Sequence, residues 1–398
     1  MSQNNNDIVL LSAFRTPIGR FQGIFRDTSA TDLGAAAIRA AVAEAAIDPQ
    51  MVDECIMGNV ISAGLGQAPA RQAGLRAGLP DSVGGLTVNK VCGSGLKAVA
   101  LARALIAAGD ARMVVAGGME NMTRAPYLLP QARAGYRLGN GELVDAVVHD
   151  GLWCAVENHH MGNSAEWIAR DRHVSREAQD AFALESHRRA VAAQDTGAFA
   201  GEIAPVTVAA GRGATTLVEA DETPRRDTSP EALARLRPAF DPQGSVTAGN
   251  APGLSDGAAA VLVTNAATAA ELGRKPLARV LGFAQAGVAP LELFTAPVFA
   301  VQALMQRTGT SIDDYDLFEI NEAFAAQAVA NMRELGIDHE RLNVNGGAVA
   351  LGHPIGASGA RVLVTLAHAL RRRGGGRGIA ALCLGGGEAV AMAIEVAA

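Results

Sequence analysis

An internal repeat is the sequence feature that most limits how this chain can fold. The segment Cys92-Gly-Ser-Gly-Leu-Lys97 matches Gly356-Ala-Ser-Gly-Ala-Arg361, and an Ala/Leu-rich helical pattern follows each copy. The strand-like runs that come next also end alike, in Val115-Ala-Gly-Gly-Met-Glu120 and in Cys383-Leu-Gly-Gly-Gly-Glu388. A repeated unit of this kind predicts a chain built from two similar α/β halves.

Short apolar runs support the same fold class. They alternate with Gly-rich turns and Ala-rich helical stretches, at residues 8–11, 54–57, 113–116, 259–263, 317–320 and 379–382. This alternation is typical of α/β layers. The chain has 398 residues, of which 45 are Gly and 49% are hydrophobic, so it can bury a large core with many tight turns.

The middle of the chain differs from its two ends in composition and patterning. Residues 121–246 contain both tryptophans, a charged helical pattern near 176–195 and a polar stretch at 221–242. We interpret this segment as a loop-rich insertion carried by the first half. The predicted domains are 1–120 with 247–273 for the first half, 121–246 for the insertion, and 274–398 for the second half.

Charge and cysteine usage exclude several classes of function. The formal net charge of −6 gives no electrostatic footprint for nucleic acid or an anionic membrane. The four cysteines show no CxxC spacing, so neither a zinc site nor a disulfide framework is expected. The polar N-terminus lacks the features of a signal peptide, and no apolar run approaches the ~20 residues of a membrane span. These features predict a cytoplasmic protein without a metal or a membrane segment.

Cys92 is the first candidate for chemistry. It lies where a β-rich segment ends, glycines make a turn and a helix begins. A helix N-terminus favours a thiolate through its dipole and its free N–H groups. A lone cysteine is more often a small buried apolar residue, but this context favours a nucleophile.

Three further residues lie at comparable turns. His353 follows a Gly-rich loop and precedes Pro354, which suits a base for a cysteine, although an ordinary loop histidine fits the residues equally well. Cys383 lies at a strand end before three glycines, so its thiol can emerge at a sheet edge as a proton carrier. Asn321 follows a strand and offers an amide that could hold a water or a carbonyl oxygen, or simply make a turn.

Together these residues carry a resemblance that covers essentially the whole chain. Four motifs occur in order: Asn89-Lys-Val-Cys-Gly-Ser-Gly95, Asn321-Glu-Ala-Phe324, Gly352-His-Pro-Ile-Gly356 and Cys383-Leu-Gly-Gly-Gly387. In this combination the chain closely resembles the thiolase family, and within it the acetyl-CoA acetyltransferases. The resemblance implies a thiolase-like fold, in which two repeated halves form a five-layered αβαβα core and an inserted loop domain binds coenzyme A. It also implies homodimers that pair into homotetramers.

The resemblance also assigns roles to the motif residues. Cys92 corresponds to the acylated nucleophile, His353 to its activating base, and Cys383 to the acid/base that removes or returns the Cα proton of the second acetyl unit. The N–H groups of Cys92 and Gly385 resemble the family's acyl oxyanion hole. His353 and a water held by Asn321 resemble its enolate oxyanion hole.

Coenzyme A contacts follow from the same resemblance. The corresponding residues are Arg225, Ala239, Phe240, Ala248, Pro252, Leu254, His160, Met161, Ala323 and Phe324. Arg225 fits a solvated surface arginine equally well, and Met161 fits a core methionine. Pro252 departs from the family, because many thiolases have Ser here, and proline can donate no hydrogen bond to the pantetheine arm.

The expected activity is the reversible joining of two acetyl-CoA molecules into acetoacetyl-CoA and CoA, through an acetyl-cysteine and without a cofactor. A degradative 3-ketoacyl-CoA thiolase with longer substrates is the alternative within the family. Two alternatives of other classes are a non-catalytic acyl-CoA-binding protein of the same fold and a cysteine hydrolase. The intact motifs disfavour the first of these, and the second thiol, Cys383, disfavours the hydrolase.

Overall fold

The computed structural model of the chain describes residues 5–211 and 213–398. The strands are β1 (Ile8–Arg15), β2 (Gly19–Arg20), β3 (Glu54–Gly58), β4 (Gly84–Val88), β5 (Met113–Asn121), β6 (Tyr127–Leu128), β7 (Val144–Asp145), β8 (Trp153–Cys154), β9 (His159–His160), β10 (Val206–Gly211), β11 (Ala214–Val218), β12 (Ser255–Asn265), β13 (Ala278–Gly287), β14 (Leu317–Ile320), β15 (Gly376–Leu384) and β16 (Glu388–Val396). The helices are α1 (Ala30–Ala45), α2 (Pro69–Ala77), α3 (Ser94–Ala108), α4 (Met161–Asp171), α5 (Arg176–Asp195), α6 (Pro230–Ala234), α7 (Ala266–Glu271), α8 (Ala296–Thr308), α9 (Ala325–Leu335), α10 (Ala348–Leu351) and α11 (Ile355–Arg372).

The main sheet contains both halves of the chain. Its strand order is β14-β15-β16-β13-β1-β12-β5-β3-β4, and β2 pairs with β12 at one side. The first half supplies β1, β12, β5, β3 and β4, and the second half supplies β14, β15, β16 and β13. The halves join where β1 pairs with β13 at Val9↔Arg279 and Leu10↔Ala278. All six predicted apolar runs are strands of this sheet, as the sequence indicated.

The predicted repeat is visible in the topology. In the first half β3 runs parallel to β5, and β5 pairs antiparallel with β12. In the second half β14 runs parallel to β15, and β15 pairs antiparallel with β16. In the first half, β4 pairs with β3. At the corresponding position beside β14, the second half has a single parallel bridge between Phe318 and Leu342. Each half therefore repeats one strand–helix–strand unit, around α3 in the first and around α11 in the second.

The helices α3 and α11 pack against each other in the middle of the molecule. A Cβ on Gly95 of α3 would meet the backbone nitrogen of Ala360, and a Cβ on Gly359 of α11 would meet that of Leu96. Gly95 and Gly359 occupy matching positions of the repeat, so each helix uses the same glycine to admit the other. This close crossing brings the N-termini of the two central helices together.

Strand alternation places helices on both faces of the first-half strands. Val9 and Met57 face outward with Leu33 and Ile38 of α1. The neighbouring residues of these strands face inward, into the core that contains α3 and α11. The helix α8 covers the second-half strands β13, β15 and β16 in the same way. The layers are therefore α1 and α2, the first-half strands, α3 and α11, the second-half strands, and α8.

The inserted segment leaves the sheet after β5 and returns at β12, its antiparallel neighbour. It contains the predicted charged helix as α5, together with the helices α4 and α6 and the hairpin β10–β11. It is therefore more regular than the predicted loop-rich insertion. The helices α4 and α5 pack against α9 of the second half, so the segment bridges the two halves.

One stretch of the described residues, Val91–Ala108, is long and apolar enough to cross a membrane by length and composition. It contains α3, and half of it is buried inside the protein. The helices of a protein core meet the same criteria of length and composition. The helix α3 is one of these, because it lies between the two layers of strands.

Candidate active site

A cavity of about 350 Å³ opens where the N-termini of α3 and α11 meet the carboxyl end of β15. Apolar side chains form most of its wall. The predicted site residues that line it are Cys92, His353, Cys383, Gly385, His160, Met161, Phe240, Pro252, Leu254, Ala323 and Phe324. The fold therefore gathers residues from widely separated regions of the sequence around one space.

Four predicted residues lie outside this lining. Asn321 is fully buried behind His353. Arg225 lies in an adjoining cleft that shares Gly253 and Leu254 with the cavity. Ala239 and Ala248 are exposed and line neither of these two spaces.

The turn before α3 presents Cys92 in a strained backbone. Val91 has φ of 47°, a left-handed conformation that a β-branched residue rarely adopts. Local hydrogen bonds hold this turn. The Val91 carbonyl accepts from Ser94 N at 3.1 Å and from Ser94 Oγ at 2.6 Å, while Val91 N donates to Asn89 Oδ1 at 3.0 Å. The strain lies at the residue next to the candidate nucleophile.

An ion pair connects this turn to the second half. Lys90 Nζ lies 2.7 Å from both carboxylate oxygens of Glu388, which follows the glycines after Cys383. Gly386 and Gly387 in that stretch have φ of 88° and 90°, so side chains are disfavoured there. The pair thus fixes the Cys92 turn relative to the Gly385 turn.

Burial controls the protonation of Cys92. Desolvation raises the pKa of its thiol to about 12, although the backbone N–H groups of Gly385 and of Cys92 itself donate to the sulfur and lower it. The two N–H groups lower the pKa of Cys92 less than burial raises it. The increase in the pKa of Cys92 caused by removal from water exceeds the decrease that a helix N-terminus causes. The resting group is therefore a thiol that needs a base. The two N–H groups nevertheless converge at the position that the sequence predicted for an acyl oxyanion hole.

His353 is held as a neutral base. Burial, and then the charge of Arg361, lower the pKa of its imidazole to about 3. Its Nδ1 lies 2.6 Å from Ser358 Oγ, and Ser358 Oγ donates to the Pro354 carbonyl at 2.9 Å. Because the serine proton goes to that carbonyl, Nδ1–H is the donor to Ser358 and Nε2 keeps its lone pair. This is the tautomer that could accept a proton from a thiol.

Cys383 lies next to the last residue of β15, between β14 and β16. The sequence predicted that the Cys383 thiol emerges at a sheet edge. In the structure it lies at the carboxyl end of an inner strand. Burial raises the pKa of this thiol well above its usual value, and the nearby charge of Cys92 raises it further. Once ionised, such a thiol is a stronger base than an exposed cysteine.

Sequence reasoning missed Glu120, a buried carboxylate that connects both halves at the site. Its oxygens accept from Asn59 Nδ2 at 2.8 Å, Val60 N at 3.0 Å and Gly356 N at 3.0 Å. Burial raises its pKa to about 7. Because every one of these partners is a donor, the geometry fits the ionised form. The repeat contained the signal, since Glu120 ends the motif that matches Glu388.

The far wall of the cavity is aromatic. Phe240 stacks on His160 with centroids 4.8 Å apart and meets the edge of Phe324 at 6.1 Å. A side chain on Gly162 would overlap the Phe240 ring, so the start of α4 must be glycine here. Further lining residues escaped prediction: Val91, Met122, Val148, Gly151, Leu152, Ala251, Gly253, Leu293, Phe294 and Ile355. No sequence signal separates most of these from ordinary core residues.

The arrangement provides a partly accessible thiol with a neutral base and converging N–H donors, together with a second thiol in the same cavity. This set suits acyl transfer to sulfur followed by proton transfer. Within residues 5–211 and 213–398, no group of three or more His, Cys, Asp or Glu side chains is placed to hold a metal ion.

Comparison with known proteins agrees with this geometry. Family models described as "Thiolase, N-terminal domain" and "Thiolase, C-terminal domain" match residues 8–267 and 274–396. An acetyl-CoA acetyltransferase of Escherichia coli (strain K12) is 55% identical over 388 residues, covering 97% of this chain and 98% of that protein. One of Cupriavidus necator (strain ATCC 17699) is 50% identical over 389 residues, covering 98% of this chain and 99% of that protein.

A solved structure shows the same fold. The crystal structure of the Bacillus anthracis acetyl-CoA acetyltransferase superposes with a TM-score of 0.96 at 42% identity, covering 99% of this chain and 100% of that one. Both family models, the full-length relatives and the two-half topology agree. The chain therefore belongs to the thiolase family.

Proposed function

We propose that this protein is an acetyl-CoA C-acetyltransferase that joins two acetyl-CoA molecules reversibly into acetoacetyl-CoA and CoA. The observation that carries the proposal is the meeting of Cys92, His353 and Cys383 in one apolar cavity. The names of the full-length relatives support the choice of acetyl-CoA as substrate.

In the first half-reaction, His353 Nε2 takes the proton of Cys92 as the sulfur attacks the thioester carbonyl. The neutral imidazole that the lowered pKa maintains is the form this step needs. The C–S bond to coenzyme A breaks, and Cys383 gives its proton to the departing thiolate. The products are acetyl-Cys92, free CoA, an imidazolium and a Cys383 thiolate.

In the second half-reaction, the Cys383 thiolate takes a Cα proton from a second acetyl-CoA. The enolate carbon attacks the carbonyl of acetyl-Cys92, and the Cys92 sulfur leaves with the proton from His353. Acetoacetyl-CoA is released, and both thiols and the imidazole regain their resting protonation. No resident cofactor takes part, because coenzyme A is carried by the substrates.

Two groups of donors support the charged intermediates in this proposal. The N–H groups of Cys92 and Gly385 face the sulfur, where the oxygen of the acyl intermediate would form. Asn321, with a water, and His353 would stabilise the enolate oxygen. The cleft of Arg225 adjoins the cavity and would receive the distal part of coenzyme A.

We also propose that the protein is a cytoplasmic homo-oligomer, dimeric or tetrameric. Apolar side chains are unusually exposed in the inserted segment, among them Tyr127, Leu129, Leu138, Leu143 and Val156. Leu86, on the terminal strand β4 of the sheet, is also exposed. Contact with further copies would remove this surface from water. Sedimentation equilibrium measures the state, and a monomer at micromolar concentration would contradict the proposal.

Steady-state thiolysis over a series of 3-ketoacyl-CoA chain lengths tests the proposed activity. Acetoacetyl-CoA should give the highest kcat/KM, because Met161, Phe240 and Phe324 line the cavity and would occupy space that a longer acyl chain needs. Preference for 3-ketodecanoyl-CoA would favour the degradative alternative. Release of acetate from acetyl-CoA in place of acetoacetyl-CoA would indicate a hydrolase.

Met161 is expected to limit the length of the acyl chain. It begins α4 and lines the cavity beside His160 and Phe240. Met161→Ala should raise kcat/KM for 3-ketohexanoyl-CoA relative to acetoacetyl-CoA by up to about fourfold per methylene accommodated, since each buried methylene contributes about 0.8 kcal/mol. Met332→Ala on α9, outside the cavity lining, is the control. An unchanged ratio would place the acyl chain elsewhere.

Limiting iodoacetamide should alkylate Cys92 first. Among the four cysteines, all within the described residues, only Cys92 is partly accessible, whereas Cys55, Cys154 and Cys383 are at most 3% exposed. Acetyl-CoA should protect it, as peptide mass spectrometry would show. Because burial raises its pKa to about 12, the rate should still increase with pH above pH 9. Preferential labelling of Cys55 or Cys154 would contradict the assignment.

A further inference from the structure

A buried ion pair lies directly behind the candidate active site, outside the cavity lining. Arg361, in the second turn of α11, donates from Nη1 to Glu319 Oε1 of β14 at 2.6 Å, and their side chains are 2% and 3% exposed. A buried ion pair generally stabilises a fold no better than a well-packed apolar pair. The matched residue of the first half, Lys97, instead lies over the Phe283 ring. The repeated unit therefore does not require this pair.

The second terminal nitrogen of the same guanidinium contacts Asn321. Arg361 Nη2 donates to Asn321 Oδ1 at 3.3 Å. Glu319 and Asn321 are two residues apart at the end of β14, so both side chains point to the face that α11 covers. A planar fork with several fixed donors can serve both acceptors at once, which a lysine ammonium does less well.

This contact determines how the Asn321 amide is oriented. The oxygen and nitrogen of an amide are nearly interchangeable in shape, so only hydrogen-bond partners select the orientation. Arg361 can only donate, and it therefore requires the amide oxygen. The amide nitrogen must then face His353, and Asn321 Nδ2 lies 3.4 Å from Nε2 of that ring. The donor consequently points to the side where an enolate oxygen or its water would bind.

We propose that Arg361, anchored by Glu319, is a positioning residue that keeps the amide donor of Asn321 directed toward the substrate oxygen. The inference rests on the proposed function, in which Asn321 supports the enolate. Loss of the hydrogen bond from Arg361 Nη2 lets the Asn321 amide rotate and present its oxygen, which repels an enolate. Acyl transfer to Cys92 uses other donors, so the defect should concentrate in carbon–carbon bond formation.

Arg361→Lys is the sharpest variant, because lysine retains the ion pair with Glu319 and the positive charge near His353. We expect an unchanged KM for acetyl-CoA and acetyl-enzyme formation within about twofold of wild type, by intact mass after rapid quench. Condensation should be about tenfold slower or more, the loss expected when one hydrogen bond from a charged donor no longer orients a catalytic group. Arg15→Lys, at another buried ion pair, controls for the general cost of shortening a buried arginine.

A double-mutant cycle distinguishes an action through Asn321 from a structural effect. In the Asn321→Ala background, Arg361→Lys should not slow condensation further. Equal slowing in both backgrounds, or equal slowing of both half-reactions, would overturn the inference alone. Full condensation activity of Asn321→Ala would contradict the role proposed for Asn321 and the inference with it. If Arg361→Lys does not fold, the isosteric Glu319→Gln should show a smaller loss confined to condensation, and unchanged condensation in that variant would overturn the inference.

Discussion

Cys92→Ser should lose both half-reactions by about 10⁴-fold or more and form no acetyl-enzyme. Removal of a covalent nucleophile has effects of this size in other enzymes, because the remaining groups only bind and polarise the substrate. Serine is close in size to cysteine, but its hydroxyl is much less acidic than a thiol. The His353 imidazole should therefore take the proton of this serine far less readily than that of Cys92.

Intact-protein mass spectrometry after mixing with acetyl-CoA measures the first half-reaction, and acetoacetyl-CoA formation measures the whole. Cys55→Ala is the matched control, since Cys55 is buried in the outer core of the first half and its thiol donates to the Ala70 carbonyl. This control should keep full activity at a temperature where it is folded. Turnover of the Cys92→Ser protein at a rate comparable to wild type, with the acetyl group on a residue other than position 92, would exclude Cys92 as the nucleophile.

Cys383→Ala should separate the two half-reactions. The departing CoA is itself a stable thiolate and can take a proton from water, so acetyl-Cys92 should still form. The second half-reaction lacks its base, and condensation should fall by about 10² to 10⁴, the usual contribution of general acid–base catalysis. Accumulation of the acetyl-enzyme without acetoacetyl-CoA is the expected signature.

Cys383→Ser tests the same role with nearly the original shape. A hydroxyl at this position is a poorer acid than the thiol, so it should not restore condensation. Cys154→Ala is the control, because Cys154 is equally buried but lies outside the cavity lining. Near-normal condensation by Cys383→Ala, or a loss of acetyl-enzyme formation equal to the loss of condensation, would contradict the assignment.

Both predictions follow from an active site whose three reacting groups, Cys92, His353 and Cys383, are uncharged at rest. Burial raises the pKa of the Cys92 and Cys383 thiols and lowers that of His353, so each group holds its neutral form in the apolar cavity. Charge then develops only when substrate is present, and the N–H groups of Cys92 and Gly385 are already directed toward it. Fixed donors of this kind need no reorganisation during the reaction.

The sequence by itself determined the two-half architecture and the chemical groups. Residues such as Cys92, His353 and Cys383 could be found because glycine-rich turns at the ends of strands and starts of helices are local features. The repeat added the relation between distant segments, and the strands predicted from apolar runs are present in the sheet. Local propensity and period are sufficient for these inferences.

Only the tertiary structure decided the protonation states and the shape of the site. The pKa of Cys92 depends on burial by both halves, which a helix N-terminus in the sequence cannot reveal. The aromatic wall around Phe240 looks like ordinary core in the sequence, because apolar residues carry no mark of facing a cavity. The contacts of Glu120 and Arg361 join residues far apart in the chain. Desolvation and long-range hydrogen bonding arise from packing, and packing exists only once the two halves have come together.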